Sequence, residues 1–329
     1  MFAESVKRVS VVGGGGYAGG ELCRRLSGHP GAEWAGIYSS SGATAGPFSS
    51  LHPGLGGAAG PDVVAYSLGG LLEAEPDVVF LATPEEVSSR LVGEILAGRP
   101  ETRIIDLSGA FRLGERSEAV YGLTEWCGEE LDGATLVANP GCYPTSILLA
   151  LKPLLGLLDP DSPIICDSLS GISGAGRKSD AAWSFTELFG NSKAYGVGTH
   201  RHVPEMRRHL GLAPEAELVF VPHLLPVERG ILSTIHVSFA RPASGADLAE
   251  RFEAAYRGRP FVRVRPAGEL PDLKAAVGTP RAEIGYSLLS AGKRAVIVSV
   301  LDNLLKGAAS QAVQNFNRMA GFPEGEGLQ

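Results

Sequence analysis

The stretch RVSVVGGGGYAGGEL, residues 8 to 22, constrains the fold more than any other part of the chain. Val9 to Val12, three β-branched valines interrupted only by Ser10, reads as a buried strand. A glycine turn follows, and GELCRRLSGH then has a helical pattern. Strand, glycine turn and helix in that order are the context in which a glycine fingerprint binds a dinucleotide. Without side chains, the turn lets a pyrophosphate approach the backbone, and the helix N-terminus favours its charge. Gly13, Gly16 and Gly19 are spaced GxxGxxG rather than GxGxxG, with Gly14 and Gly15 blurring the count. Tyr17 sits within the same turn and joins the cofactor-binding set. The plainer reading is a tight turn with no ligand.

The following strand, EWAGIYSSSG, should carry the group that reads the adenosine ribose. A carboxylate there would favour NAD. The stretch has Ser39, Ser40 and Ser41 and no acid, so NADP(H) is favoured, although no arginine accompanies the serines. A solvated serine loop is the alternative. PDVVFLATP, TRIIDLSGAFRL and ATLVANPGCYPT read as further strands, and EEVSSRLVGEILAG as a helix between the first two. Ligands of such sheets collect at strand carboxyl ends. The glycine turn, the loop carrying Ser108 and Arg112, and Cys142 are therefore expected to open on one crevice.

NPGCYPT places Cys142 between Pro-Gly and Tyr-Pro, with TSILLALKPLL predicted as a helix from Pro144 or Thr145. A thiol near a helix N-terminus is favoured as thiolate. This layout suits a nucleophile, and equally a small buried hydrophobe in a turn. The other cysteines are Cys23, Cys127 and Cys166. With Cys142 they make no CxxC pair, so neither a disulfide framework nor a metal site is expected, and a reducing cytoplasm is the simplest location. A net charge of −7 argues against a general nucleic-acid surface. No apolar run suits a membrane span, and the N-terminal stretch lacks a signal-peptide pattern.

At 329 residues, two domains are expected. Residues 1–145, completed by a C-terminal helix in 303–329, form the dinucleotide-binding part. Residues 146–302 form a substrate and oligomerisation part. The first is a doubly wound α/β unit; the second, with clustered strands, reads as α+β on a mixed sheet. GTHRHVPEM offers His200 and His202 as acid-base groups. Glu205 stands one turn beyond His202 if a helix begins near Pro204, where a carboxylate would fix the imidazole tautomer. His29, His52, His209, His223 and His236 lie in no such motif.

Taken in order, GGGGYAGGEL, NPGCYPT, SGISGAGRK, HRHVPE, PVERGIL and DNLLKGAASQAVQNFN closely resemble the N-acetyl-γ-glutamyl-phosphate reductase family, related to aspartate-semialdehyde dehydrogenases. The resemblance implies that NADPH reduces an acyl phosphate to an aldehyde through a Cys142 thioester, with release of inorganic phosphate. It implies His202, supported by Glu205, as acid-base residue, and Ser108 and Arg112 as phosphate contacts; apart from the resemblance, Arg201 and Lys178 are other candidate anion contacts. It places Ser173 and Gly174 beside the nicotinamide and Asn303 on its carboxamide, although Asn303 could instead cap the final helix. A homo-oligomer, dimer or tetramer, is implied as well. The chain departs from the family at Ala110, where an acid commonly precedes Phe-Arg. Two other readings stand beside this one: a reductase of carrier-bound aminoadipyl phosphate in lysine biosynthesis, and a non-enzymatic NADP-binding regulator.

Overall fold

The computed structural model describes residues 6–39, 45–55, 60–177 and 185–328. The chain divides into two compact units, residues 1–141 with 308–329, and residues 142–307.

The first unit is built on seven strands: β1 (Lys7–Val12), β2 (Ala32–Ser39), β3 (Val63–Ala65), β4 (Val78–Leu81), β5 (Arg103–Asp106), β6 (Ala119–Tyr121) and β7 (Leu136–Ala138). Their order is β3-β2-β1-β4-β5-β7-β6, and every neighbouring pair is parallel. Such a sheet is buried on both faces, which is why Val78–Leu81 is buried at every position rather than alternating. The strand order reverses between β1 and β4, and the glycine turn leaves the carboxyl end of β1 at that switch point. The amphipathic Ser310–Ala320 helix closes the unit, and its inner face is polar as well as apolar. Asn315 Nδ2 donates to Gly122 O at 2.9 Å and to Asn139 Oδ1 at 3.0 Å, and Gln311 Nε2 donates to Thr124 Oγ1 at 2.6 Å. Buried amides with this many partners hold one register rather than a sliding apolar contact.

The second unit has its own seven strands: β8 (Ile164–Gly171), β9 (Lys193–Ala194), β10 (Leu218–Leu225), β11 (Ile231–Ser238), β12 (Val262–Val264), β13 (Ala282–Leu289) and β14 (Arg294–Leu301). The order is β12-β13-β14-β11-β8-β10-β9. β8 and β10 are parallel, as are β12 and β13, and the other pairs are antiparallel. The architecture is thus the mixed α/β one expected, a parallel dinucleotide-type sheet and a second mixed sheet.

Two helix starts differ from expectation. The helix after NPG begins at Cys142 itself and runs to Leu151. Pro144 does not delay it, because first-turn N–H groups have no intrahelical acceptor and a proline there loses no bond. The same holds for the helix His202–Leu210, which begins two residues before Pro204. The 142 helix also ends early. Pro153 cannot donate in an α-helical ladder, and Lys152–Leu157 continues as a 3-10 helix.

Candidate active site

In the first unit, the backbone of the glycine turn is gripped closely. Gly13 has φ +96, a conformation that L side chains rarely adopt, and a Cβ on it would lie 2.2 Å from Ala82 O. A Cβ on Gly19 would lie 2.2 Å from Gly13 O. The Gly13 and Gly14 N–H groups both donate to Tyr38 O, at 2.7 and 3.1 Å. Gly16 is the N-cap of the helix Tyr17–Ser27. No side chain caps that helix, and its first turn carries no acid. An uncapped helix start without carboxylates, reached through a turn that excludes side chains, fits the pyrophosphate of a dinucleotide. Tyr17 is partly exposed at the turn. Ser39 is buried at the end of β2, while Ser40, Ser41 and Lys178 lie outside the described residues.

Beyond β5 the chain folds back on Asp106. Ser108 Oγ donates to Asp106 Oδ2 at 2.7 Å and accepts from Ala110 N at 3.1 Å. Burial raises the Asp106 carboxyl above its ordinary value; bonds from Ser108 and Ser88 and the nearby Arg112 charge oppose the rise without cancelling it. Arg112 is itself buried. Its Nε donates to Asn139 O at 2.8 Å and its Nη2 to Leu107 O at 2.7 Å. The guanidinium therefore ties the loop after β5 to the segment after β7. Ala110, where the family's acid would stand, is buried in the apolar core of this unit.

In the second unit, Cys142 is the first residue of its helix and is half-buried. That position sets its side chain at the positive end of the helix dipole. Two contacts hold the helix start. Ser146 Oγ lies 3.0 Å from Ser233 Oγ on β11, which lies 2.8 Å from Ser168 Oγ on β8. Gly307 packs directly on Cys142: a Cβ there would be 2.8 Å from Cys142 Cβ and 3.2 Å from its Cα. Gly307 belongs to a π-helical turn, Leu305–Ala309, a form that recurs at functional sites. Cys23 and Cys166 differ from Cys142, since both are fully buried and burial pushes their thiols well up.

The helix His202–Leu210 packs against the cysteine helix. His202 and Glu205 occupy its first turn, and both are buried. The Tyr143 ring meets the His202 ring at 6.0 Å between centroids and the His200 ring at 5.6 Å, edge-on in both cases. His200 Nδ1 accepts from the His202 backbone N–H at 3.2 Å. An accepting Nδ1 is unprotonated, in keeping with burial, helped by the Arg201 charge, which lowers the His200 imidazole to about 4. The phenol oxygens of Tyr143 and Tyr195 are 3.2 Å apart. Burial raises both phenols, Tyr195 to about 12, and the neighbouring Cys142 adds in the same direction, so both are neutral at pH 7. Arg201 is exposed at the helix N-cap.

Ser173, Gly174 and Asn303 come together as well. Asn303 Oδ1 accepts from Gly230 N at 2.8 Å, and Asn303 Nδ2 donates to Ser173 Oγ at 3.0 Å. A Cβ on Gly174 would be 3.8 Å from Asn303 Nδ2. Asn303 does not cap the final helical segment. Asp302 does so, its Oδ1 accepting from Leu304 N at 2.8 Å and Leu305 N at 3.2 Å. Tyr143, Tyr195 and Gly307 are additions to the expected set. Tyr143 lies within the NPGCYPT motif and Tyr195 seven residues before His202, so proximity in sequence was a signal for both. Gly307 had only its place in DNLLKGAA. Among the described residues, no group of three or more histidine, cysteine or acidic side chains is placed to hold a metal ion.

Comparisons with known proteins identify the family and the fold. Residues 8–134 match the model of the semialdehyde dehydrogenase NAD binding domain, and residues 142–303 that of the semialdehyde dehydrogenase dimerisation domain. The chain is 40% identical to an N-acetyl-gamma-glutamyl-phosphate reductase of Geobacillus kaustophilus, with 98% of each chain covered. It is 43% identical to the reductase of that name from Pelotomaculum thermopropionicum, covering 98% of this chain and 97% of the relative. The same-named protein of Geobacter sulfurreducens is 42% identical, with 98% of each covered. Among solved structures, aspartate semialdehyde dehydrogenase II of Vibrio cholerae matches with a TM-score of 0.73 at 17% identity, covering 95% of this chain and 98% of that one. The enzyme of Candida albicans, solved with NADP, matches with a TM-score of 0.69 at 18% identity, covering 96% and 99%. At that identity the two structures speak for the fold.

Proposed function

The chain belongs to the N-acetyl-gamma-glutamyl-phosphate reductase family, and from that premise we propose that it reduces N-acetyl-L-glutamyl 5-phosphate to N-acetyl-L-glutamate 5-semialdehyde, using NADPH and releasing phosphate, in arginine biosynthesis. The observation that carries this reading is the pairing of Cys142, at the first position of one helix, with His202, at the first position of the helix packed against it.

Cys142 is the nucleophile. Its thiolate, favoured by the helix N-terminus, attacks the C5 carbonyl, and the C–O bond to phosphate breaks. The product of that step is a thioester on Cys142, which keeps an electrophilic carbonyl. NADPH, when bound, supplies the hydride that takes this carbonyl to the aldehyde level. His202 takes the thiol proton to form the thiolate, gives it to the departing phosphate, and after uptake of a proton from water returns one to sulfur as the aldehyde departs. Glu205 is buried in the same helical turn, where its carboxylate would orient the His202 imidazole. His200, held neutral, serves the turn rather than the proton transfer.

Gly13, Gly16, Tyr17, Gly19 and Ser39 form the dinucleotide contact, with Ser40 and Ser41 completing the serine stretch. Ser173, Gly174 and Asn303 serve the nicotinamide end. Of the residues proposed for the substrate phosphate, Arg201 is the exposed one. Ser108 bonds within its own loop, Arg112 bonds both to that loop and to the segment after β7, and both contribute by fixing that backbone. The match of residues 142–303 to a dimerisation domain supports a homo-oligomer, a dimer or a tetramer. A cytoplasmic location accords with three buried or half-buried cysteines besides Cys142 and no disulfide among them. No helix among the described residues is long and apolar enough to cross a membrane.

The reverse reaction tests the proposal. N-acetylglutamate semialdehyde and NADP should yield NADPH in proportion to added phosphate. NADPH formation that ignores phosphate, or that fails with this aldehyde while NADPH still binds, would contradict it.

A further inference from the structure

A histidine outside every motif stands behind the glycine turn. His52 follows the short helix Phe48–Leu51 and is 6% exposed. Its Nε2 lies 2.7 Å from Gly14 O. A carbonyl only accepts, so Nε2 carries the hydrogen. The ring occupies the space that a side chain at Gly20 would fill: a Cβ there would be 2.4 Å from Cε1 and 2.7 Å from Nδ1. Phe48, also buried, packs on the ring at 5.0 Å between centroids.

The Gly14 residue is thereby held at both ends. Its N–H donates to Tyr38 O at 3.1 Å, and its carbonyl accepts from His52. A trans peptide is planar, so fixing the Gly14 carbonyl also fixes the direction of the Gly15 N–H, which points the opposite way. Four consecutive glycines, 13 to 16, would otherwise have wide conformational freedom. A turn that must be ordered as the ligand arrives binds less tightly than one already in shape.

We propose that His52 is a positioning residue for the dinucleotide: its bond to the Gly14 carbonyl, admitted by the missing side chain at Gly20, sets the glycine turn in its binding shape. The inference rests on the cofactor reading above and deepens it. It also accounts for Gly20, which lies outside the Gly13, Gly16 and Gly19 spacing.

The test is NADPH affinity, read by fluorescence titration of the full chain without substrate, together with a thermal melt of each variant. His52→Leu removes the donor and should raise the Kd about tenfold, the effect of a lost buried hydrogen bond. In His52→Gln the amide reaches the same carbonyl, and the Kd should stay within about threefold of the parent. In His52→Asn the amide is one bond shorter, and this variant should behave like leucine. A folded leucine variant with the parent Kd would overturn the proposal. So would glutamine and asparagine variants of equal affinity, which decides the matter if the leucine variant does not fold. A parent chain that binds no NADPH would remove the cofactor reading and this inference with it. Parent binding with an unaffected leucine variant would remove the inference alone.

Discussion

Two turns lead from a strand into a helix and end in different chemistry. The turn after β1 is all backbone: glycine supplies the N-cap of Tyr17–Ser27, and its neighbours exclude side chains by contacts as short as 2.2 Å. The turn after β7 leads into a helix whose first residue is a thiol, backed by Gly307. Both stand at the positive end of a helix, and on the proposed function one accepts an anion that arrives and the other favours an anion made in place. The difference lies in which partner gives up its Cβ. At the first turn the backbone of the turn itself is bare, and at the second the supporting segment is bare, so that Cys142 keeps its side chain.

Breaking the second turn should cost the most. Cys142→Ser should lower turnover by roughly a thousandfold or more, because the nucleophile is lost, while NADPH affinity in a direct titration stays unchanged. His202→Asn should follow, with turnover lower by about a hundredfold to a thousandfold. Breaking the first turn should act on binding alone. Gly19→Ala sets a Cβ against Gly13 O, and the NADPH Kd should rise at least about tenfold. The alkylation rate of Cys142 should not change.

Gly307→Ala sharpens the comparison, since it adds a methyl group behind the thiol and none at the cofactor. Turnover should fall about tenfold, with a stability loss of about 1–3 kcal/mol from overpacking, and the alkylation rate of Cys142 should shift. An unchanged alkylation rate would separate Gly307 from the nucleophile.

The smallest effect concerns His200. Its folded value of about 4 lies below the ordinary 6.5, so the unfolded chain takes up this proton first as the pH falls. The stability contributed is fully present above pH 6.5 and is lost as pH falls toward 4. For a half-buried ring this amounts to about 1 kcal/mol after solvent screening. Denaturant melts across that window should therefore be flatter in His200→Asn, which keeps an acceptor for the His202 N–H. Equal slopes would show that His200 does not titrate as described.

What was legible in the sequence follows the same contrast. The glycine turn, NPGC and HRHVPE stand out in the sequence because each condenses its residues of interest into a few consecutive positions. β13 does not show as a strand in the sequence, because its pattern is broken by Glu283 and Gly285. Glu283 is buried on Arg265 at 2.7 Å, and Gly285 leaves room for Glu269 O. β6 is only three residues long and is defined by pairing with β7. Gly307 and His52 act on residues distant in sequence, through contacts that neither periodicity nor local spacing reports. Both helices start ahead of the position that Pro144 and Pro204 suggest, because a proline in a first turn removes no bond.

The central claim is that Cys142 carries the acyl group, and trapping that group tests it most directly. Enzyme given N-acetylglutamate semialdehyde and NADP without phosphate should release one NADPH per active site and stop. The intact mass should rise by one N-acetylglutamyl group, located on the peptide containing Cys142 and absent in Cys142→Ser. An acyl group on any other residue, or a phosphate-free burst in the serine variant, would contradict the account.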